Sequence, residues 1–157
     1  MEERTTINIP VIALRGLTVF PDLTLSFDVE REISIYALDS AMEGDRTIFL
    51  VTQREIATTT PTEEDLYTVG TVCRILQILK TSETSVRVIV EGQQRARIHR
   101  LWQYKPFLQA NVELLEEDFP GRMTPRMEAL IRQTYVIFGE YKELVPNLTD
   151  DFVSAVL

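Results

Sequence analysis

The chain has 157 residues, 45% hydrophobic and 25% charged, which is typical of a soluble globular protein of one domain or one domain with a small appendage. Its net charge of -8 argues against nucleic acid or an anionic membrane surface as the main partner, since both attract an excess of Lys and Arg. The lone cysteine, the polar amino terminus and the lack of a long apolar run exclude an internal disulfide and predict a cytoplasmic protein without membrane contact.

Apolar patterning predicts short strands through the first two thirds of the chain. Residues 25–29 alternate between apolar and polar, and residues 48–51 form a short apolar run typical of a buried strand. Residues 72–79 are apolar on both faces, which predicts a central strand. Alternation returns at residues 86–90 and is clearest at residues 108–114. Strands this short and numerous favour a barrel or a sandwich.

Two helical pieces are predicted between these strands. Apolar residues follow helical spacing from Ile33 to Met42, with Glu32 near the start, where a carboxylate suits the helix dipole, and Gly44 after the end. Thr62 and Asp65 have the spacing of a capping box, which predicts one short helical turn.

The pattern changes near Phe119. After turn residues at 118–121, Thr124 and Pro125 provide a helix cap and a first-turn proline, and an apolar stripe predicts a helix that Pro146 ends. The stripe comprises Met127, Leu130, Ile131, Phe138 and Tyr141. A second helix is predicted from Thr149 to the last residue, without a cap at its end.

These elements predict a mainly β protein with helices, of the α+β class. Residues 1–118 are predicted to form a β domain. Residues 119–157 are predicted to be the start of a helical subdomain, cut short inside its second helix.

Catalytic and cofactor motifs are missing from the sequence. It contains neither a phosphate-binding loop nor a dinucleotide-binding glycine pattern. His99 is the only histidine, Cys73 lies in an apolar strand that predicts an inert buried thiol, and Lys80 lies in a polar turn that would not activate it. The acidic clusters at 63–65 and 116–118 favour helix capping and a solvated strand end over metal binding. We therefore predict no catalysis, no metal and no cofactor in this chain.

A small basic face leaves two interpretations open. Arg95, Arg97 and His99 are predicted to share one face of a strand, with Arg74 and Arg87 as candidate neighbours. They could contact nucleic acid or an acidic peptide. Ion pairs with nearby carboxylates are the favoured interpretation, because the rest of the chain is acidic.

Two apolar segments are the candidate binding surfaces, because exposed apolar patches mark interaction sites. The alternative is that these residues fill the ends of the barrel. The candidate polypeptide contacts are Phe20, Pro21, Leu23, Trp102, Tyr104 and Phe107.

Five stretches, in order, resemble the amino-terminal domains of ATP-dependent Lon proteases. They are residues 10–21, 31–38, 45–53, 65–75 and 86–98. Two loop positions depart from the family pattern. Asp22 stands where glycine commonly follows Phe-Pro, and the link from Lys80 to Ser85 lacks the glycine often found in that hairpin.

The resemblance implies a PUA-like pseudo-barrel followed by helices that lead to an AAA+ motor and a Ser-Lys protease. It also implies a role in protein quality control: recruiting unfolded or damaged polypeptides and supporting the organisation of a homo-hexamer, with ATP and Mg bound by the motor and not by this part of the chain. Two alternatives remain: a stand-alone Lon-like interaction adaptor, and a PUA-like RNA-binding module.

Overall fold

A computed structural model of the protein describes residues 4–118, residues 121–148 and Val153. These residues form six strands, two α-helices and a 3₁₀ turn at Glu63–Asp65. The elements are β1 Thr6–Leu14, β2 Thr24–Val29, α1 Glu32–Glu43, β3 Thr47–Thr52, β4 Val69–Lys80, β5 Val86–Gln103, β6 Leu108–Leu114 and α2 Pro125–Leu144. The predicted α+β class is confirmed.

Five of the strands close into a ring, which confirms the predicted pseudo-barrel. β1 pairs in parallel with β3 and antiparallel with β6, and β4 lies between β3 and β5. The ring closes because β5 also pairs with β6. β5 has 18 residues, long enough to pair with β2 through its first part and with β6 through its last part.

Strand alternation divides the apolar side chains between two cores. One core fills the ring with side chains such as Val11 of β1 and Phe49 of β3. The other, which we call the outer core, lies between the sheet and α1. It contains the sequence neighbours of those residues, Ile12 and Leu50. β5 contributes to both cores, with its first half packing toward α1 and its second half packing inside the ring.

Helix α1 forms because its apolar residues return every three or four positions and bury one face. Ala37, Leu38 and Ala41 are buried in the outer core. The helix ends at Gly44 as predicted, and Arg46 then adopts a positive φ of 63° while its backbone N–H donates to the carbonyl oxygen of Ala41 at 2.9 Å. These contacts turn the chain directly into β3.

Strand β4 is central along only part of its length, which corrects the prediction for residues 72–79. It pairs with β3 only at residues 71–74, and beyond them it pairs with β5 alone. Leu76 and Leu79 are therefore exposed. Leu76 lies at a shift in the β4–β5 register, a bulge that turns its side chain away from the core.

Contacts between Cα atoms divide the chain into two units, residues 1–116 and residues 117–157. The second unit contains α2, whose first turn is capped as predicted: the hydroxyl of Thr124 accepts the backbone N–H of Met127 at 3.2 Å. Four residues of the predicted stripe are exposed and Phe138 is half-buried. The predicted boundary at Phe119 and the predicted helix from Thr149 fall on residues outside the described ranges, Val153 excepted, and stay predictions.

Candidate functional site

Residues 15–23, the Phe20 loop, contain neither helix nor strand, yet side chains of the sheet hold this segment in place. The hydroxyl of Thr52 donates to the carbonyl oxygen of Leu17 at 2.7 Å. The buried hydroxyl of Thr71 donates to the carbonyl oxygen of Val19 at 2.6 Å. Both bonds join backbone oxygens to strand residues, so the loop is fixed without being part of the sheet.

Gly92 of β5 provides a close backbone contact between the Phe20 loop and the sheet. Its N–H donates to the carbonyl oxygen of Leu23 at 2.8 Å, and its carbonyl oxygen accepts the N–H of Asp22 at 2.9 Å. A Cβ at Gly92 would lie 2.1 Å from the carbonyl oxygen of Phe20, so no larger residue fits without movement. Asp22 has a positive φ of 63°, which accounts for the glycine common at this position in the resembling family.

The fixed loop exposes two large apolar side chains. Phe20 is 51% exposed and Leu23 is 52% exposed, while Pro21 between them is half-buried. A cleft of ≈ 90 Å³ adjoins Phe20 and is also lined by the exposed side chain of Val69. We refer to Phe20, Pro21, Leu23 and Val69 as the Phe20 surface. Sequence patterning missed Val69, which precedes the predicted strand at residues 72–79.

The second predicted segment also has exposed aromatic residues. The β5–β6 register shifts between Leu101 and Gln103, which makes Trp102 the extra residue of a bulge. Bulges redirect side chains, and Trp102 is 46% exposed. Tyr104 is 42% exposed, whereas Phe107 is half-buried against the outer core. We refer to Trp102 and Tyr104 as the Trp102 surface.

The two surfaces lie at different parts of β5. The Phe20 loop crosses the strand at Gly92, and Trp102 follows ten residues later. At about 3.3 Å per residue this separation is about 33 Å of strand. The alternative in which all six candidates fill the barrel ends does not describe Phe20, Leu23, Trp102 or Tyr104, because their side chains reach solvent. Their contact with a polypeptide stays a prediction.

The basic side chains predicted on one strand face do lie on the outer face of β5. His99 Nε2 lies 3.4 Å from a carboxylate oxygen of Glu113, a mostly buried residue that also lies 3.4 Å from Arg4. Arg87 forms a two-point ion pair with Asp28 at 2.8 and 2.9 Å, and this hydrogen bonding holds the pKa of Asp28 below its usual range. Ion pairing, the favoured interpretation, therefore describes Arg87. Alternation at residues 108–114 placed Glu113 on the polar face of the strand, so its burial could not be predicted from the pattern.

The remaining candidate chemical groups are either buried or hydrogen-bonded to the backbone. Cys73 is fully buried, as predicted, and burial raises the pKa of its thiol to about 12. In the acidic cluster at 63–65, Asp65 accepts the backbone N–H of Thr62 at 2.8 Å, as the capping-box spacing predicted. Glu63 accepts the backbone N–H of Leu101 at 2.6 Å.

Within residues 4–118 and 121–148, no cluster of three or more His, Cys, Asp or Glu side chains is arranged to hold a metal ion. Neither helix in these ranges is both long and apolar enough to span a membrane.

Residues 8–156 match the family model described as the ATP-dependent protease La (LON) substrate-binding domain. The chain is 38% identical over 150 residues to the Lon protease of Desulforamulus reducens, covering 96% of this chain and 18% of that protein. It is also 38% identical over 155 residues to the Lon protease of Escherichia coli, covering 99% of this chain and 20% of that protein. The chain thus spans about a fifth of the length of these curated relatives.

Two solved structures share the fold. The N-terminal domain of Mycobacterium avium complex Lon protease superposes with a TM-score of 0.67 at 16% identity, covering 96% of this chain and 74% of that chain. A Lon N-terminal domain protein from Xanthomonas campestris has a TM-score of 0.62 at 15% identity, covering 81% and 70% respectively.

Proposed function

The chain belongs to the ATP-dependent protease La (LON) substrate-binding domain family, and from that membership we propose that it recruits unfolded or damaged polypeptides for an ATP-dependent Lon-type serine protease. It is the substrate-binding amino-terminal part of such a protein and not its protease domain. The observation that carries the proposal is the Phe20 surface, because it combines exposed apolar side chains with a fixed backbone.

An apolar surface suits this task. Unfolded chains expose apolar side chains that folded proteins bury, so an apolar patch can select them without reading a particular sequence. A fixed loop loses little conformational entropy when it binds, which favours affinity. Phe20 and Leu23 meet both requirements, and Trp102 and Tyr104 offer a second contact on the same unit. Two weak contacts on one polypeptide would increase the overall affinity.

We propose that this part of the protein performs no catalysis and binds no cofactor. Its only cysteine is a buried thiol with a raised pKa, and its only histidine lies beside a carboxylate on the strand surface. ATP and Mg would be bound by the motor domain of a longer Lon chain. Assembly into a homo-hexamer would place several copies of the Phe20 surface around one entrance, and a cytoplasmic location would suit the reduced cysteine.

The test measures binding of a reduced, alkylated and therefore permanently unfolded protein, by cross-linking and by fluorescence anisotropy. We expect Phe20→Ser and Trp102→Ser each to weaken binding, with chemical-shift spectra that show a retained fold. Leu79→Ser is the matched control, since Leu79 is an exposed apolar side chain of β4 outside both surfaces.

Unchanged binding by the folded double variant would refute the surface assignment. RNA binding in a low-salt filter assay would instead support the RNA-binding alternative, which the net charge of -8 disfavours.

A further inference from the structure

A cavity of ≈ 270 Å³ opens between the end of β1 and the end of β2. Its walls are residues 12–15 and 27–31, with Leu17 and Ser34 completing the lining. It shares no residue with the Phe20 surface or the Trp102 surface. Its lining is part apolar and part charged, so the chemistry of the charged groups decides what it can hold.

Strand edges border this cavity. β6 pairs with β1 only as far as Val11, so the end of β1 lacks a strand partner on that side. β2 pairs only with β5 among the described strands, so its other edge has unpaired backbone groups. An extended polypeptide can add to such an edge through main-chain hydrogen bonds, whatever its sequence.

Arg31 is the more buried of the two cationic residues that line the cavity. Its half-buried guanidinium donates to Oε1 of Gln53 at 2.8 Å and to the carbonyl oxygen of Ala13, both neutral acceptors. Burial, and then the nearby charge of Arg15, lower the pKa of Arg31. A partly desolvated cation beside a second cation is costly unless an anion joins them.

The carboxylates of the cavity do not supply that anion. Asp28 is engaged by Arg87 on the neighbouring strand at 2.8 and 2.9 Å. Glu30 is exposed, and in the described part of the chain neither Arg15 nor Arg31 forms an ion pair. Arg31 and Arg15 therefore line the cavity without a counter-ion among the described residues, and Arg15 donates only to a neutral acceptor, the carbonyl oxygen of Thr58, at 3.4 Å.

We propose that this cavity binds a carboxylate of an extended polypeptide segment, with Arg31 as its ligand and Arg15 as the second positive charge. The bound segment pairs along the open edge of β2, and an apolar side chain beside the carboxylate packs on Leu17 and Phe27. The guanidinium plane suits a carboxylate because two parallel hydrogen bonds can form. The proposal rests on the proposed function, because it names the polypeptide group that the domain would select.

Two groups share this chemistry: the α-carboxylate at the end of a chain and the side chain of Asp or Glu. Three eight-residue peptides with the same apolar residues separate them. The first has a free carboxyl end, the second has an amidated end, and the third has an amidated end and one internal Asp. Anisotropy titrations against the 157-residue protein give affinities, and chemical shifts locate the contacts.

We expect the second peptide, which has an amidated end and no Asp, to bind about tenfold more weakly than the first, which has a free carboxyl end. Charge-assisted hydrogen bonds are stronger than neutral ones. Recovery of affinity by the internal Asp would identify acidic side chains as ligands, and no recovery would identify the chain end. Shifts are expected at residues 12–15 and 27–31. Equal affinity of all three peptides would overturn the proposal.

Variants test whether Arg31 and Arg15 cause the preference for a carboxylate. Arg31→Gln should abolish the preference for the peptide with a free carboxyl end. Arg15→Gln should reduce that preference several-fold and leave the affinity for the amidated peptide unchanged. Because Arg31 also holds Gln53, its variant could disturb folding. Arg15 is exposed, so its variant keeps the test decisive. Arg126→Gln on α2 removes the same charge elsewhere and should change nothing.

The two proposals fail separately. Loss of unfolded-protein binding in Phe20→Ser, with no preference for the free acid, would leave the proposed function standing and reject the carboxylate site. A preference for the free acid that persists in Arg31→Gln and Arg15→Gln would also reject it.

Discussion

The carbonyl oxygen of Phe20 lies where a side chain at residue 92 would begin: a Cβ on Gly92 would be 2.1 Å away from it. The N–H of Asp22 donates to the carbonyl oxygen of the same glycine, and the glycine N–H donates to the carbonyl oxygen of Leu23. The position of the exposed Phe20 side chain therefore depends on the absence of a side chain on the strand beneath it.

Replacing Gly92 with alanine should displace the Phe20 loop. We expect a loss of about 1–3 kcal/mol in the free energy of unfolding, the usual cost of overpacking, measured by denaturant titration. Binding of unfolded protein should weaken even though Phe20 itself is unchanged. A variant with wild-type stability and binding would contradict this role for the close contact.

Gly139 is the matched control, because a Cβ there would meet nothing within 4 Å. It lies inside α2, where glycine costs backbone entropy. Gly139→Ala should therefore raise the stability of the helix by about 0.5–1 kcal/mol, measured by thermal unfolding, and should leave polypeptide binding unchanged. Destabilisation would mean that the space around Gly139 is occupied.

Arg46 carries a side chain in the left-handed region, with φ of 63°. Arg46→Gly should relieve this strain and raise the free energy of unfolding by about 0.5–1 kcal/mol, because glycine adopts this conformation freely. Arg46→Ala separates strain from lost side-chain contacts, since alanine retains the strained backbone. If alanine stabilised the protein as much as glycine, the backbone explanation would be wrong.

Asp45 accepts hydrogen bonds from the hydroxyl and the backbone N–H of Thr47, at 2.6 and 3.0 Å. The hydrogen bond from the Thr47 hydroxyl is the main cause that lowers the pKa of Asp45 in the folded state. The hydrogen bond from the Thr47 backbone N–H also lowers it. The resulting stabilisation is complete above the unfolded pKa of about 3.9 and is lost as pH falls through the lower folded value.

Thr47→Val should raise the Asp45 pKa toward its usual range, as followed by NMR titration of the carboxyl carbon. The acid side of the stability–pH curve should become less steep. Thr134→Ala is the control, since that hydroxyl donates to the carbonyl oxygen of Leu130 and to no carboxylate. An unmoved Asp45 pKa in Thr47→Val would show that the hydroxyl bond does not set it.

Cys73 should resist thiol reagents in the folded protein. It is fully buried and its pKa is raised to about 12, so little thiolate forms at pH 8. We expect labelling by a chromogenic disulfide to follow global unfolding as denaturant increases. Rapid stoichiometric labelling in native buffer would show that the outer core opens locally.

The Phe20 and Trp102 surfaces should contribute independently to binding. They lie at different parts of β5 and share no residue, so the losses in Phe20→Ser and Trp102→Ser should add within about 0.3–0.5 kcal/mol in the double variant. Isothermal titration calorimetry with one unfolded protein measures the three losses. A coupling energy well above that range would contradict independent contributions from the two surfaces.

Local patterning predicted most of the fold. The alternation at 25–29 and 108–114 matches β2 and β6, and Ile33 to Met42 lies within α1, because one buried face per element leaves a clear period in the sequence. Pairing between distant strands has no such signal. The closure of the ring by β5 and β6, and the end of the β3–β4 pairing that exposes Leu76, therefore became visible only in three dimensions.

The candidate site was predictable by residue type and not by geometry. Phe20 and Trp102 were predictable because apolar residues crowd turn-like segments. Their separation, and the bulge that exposes Trp102, depend on strand register. The cavity at Arg31 left no trace in the sequence, since a single arginine between a strand and a helix resembles an ordinary surface residue.

Strand β5 contributes side chains to both cores, and this affects how residues 1–116 unfold. Val88 and Val90 belong to the core beneath α1, and Ala96 and Ile98 belong to the core inside the ring, yet one unbroken strand carries all four. Melting either core would strip β5 of its packing and weaken the ladder that supports the other. Amide protons along β5 should accordingly be among the slowest to exchange with deuterium, and the two cores should open in one concerted step.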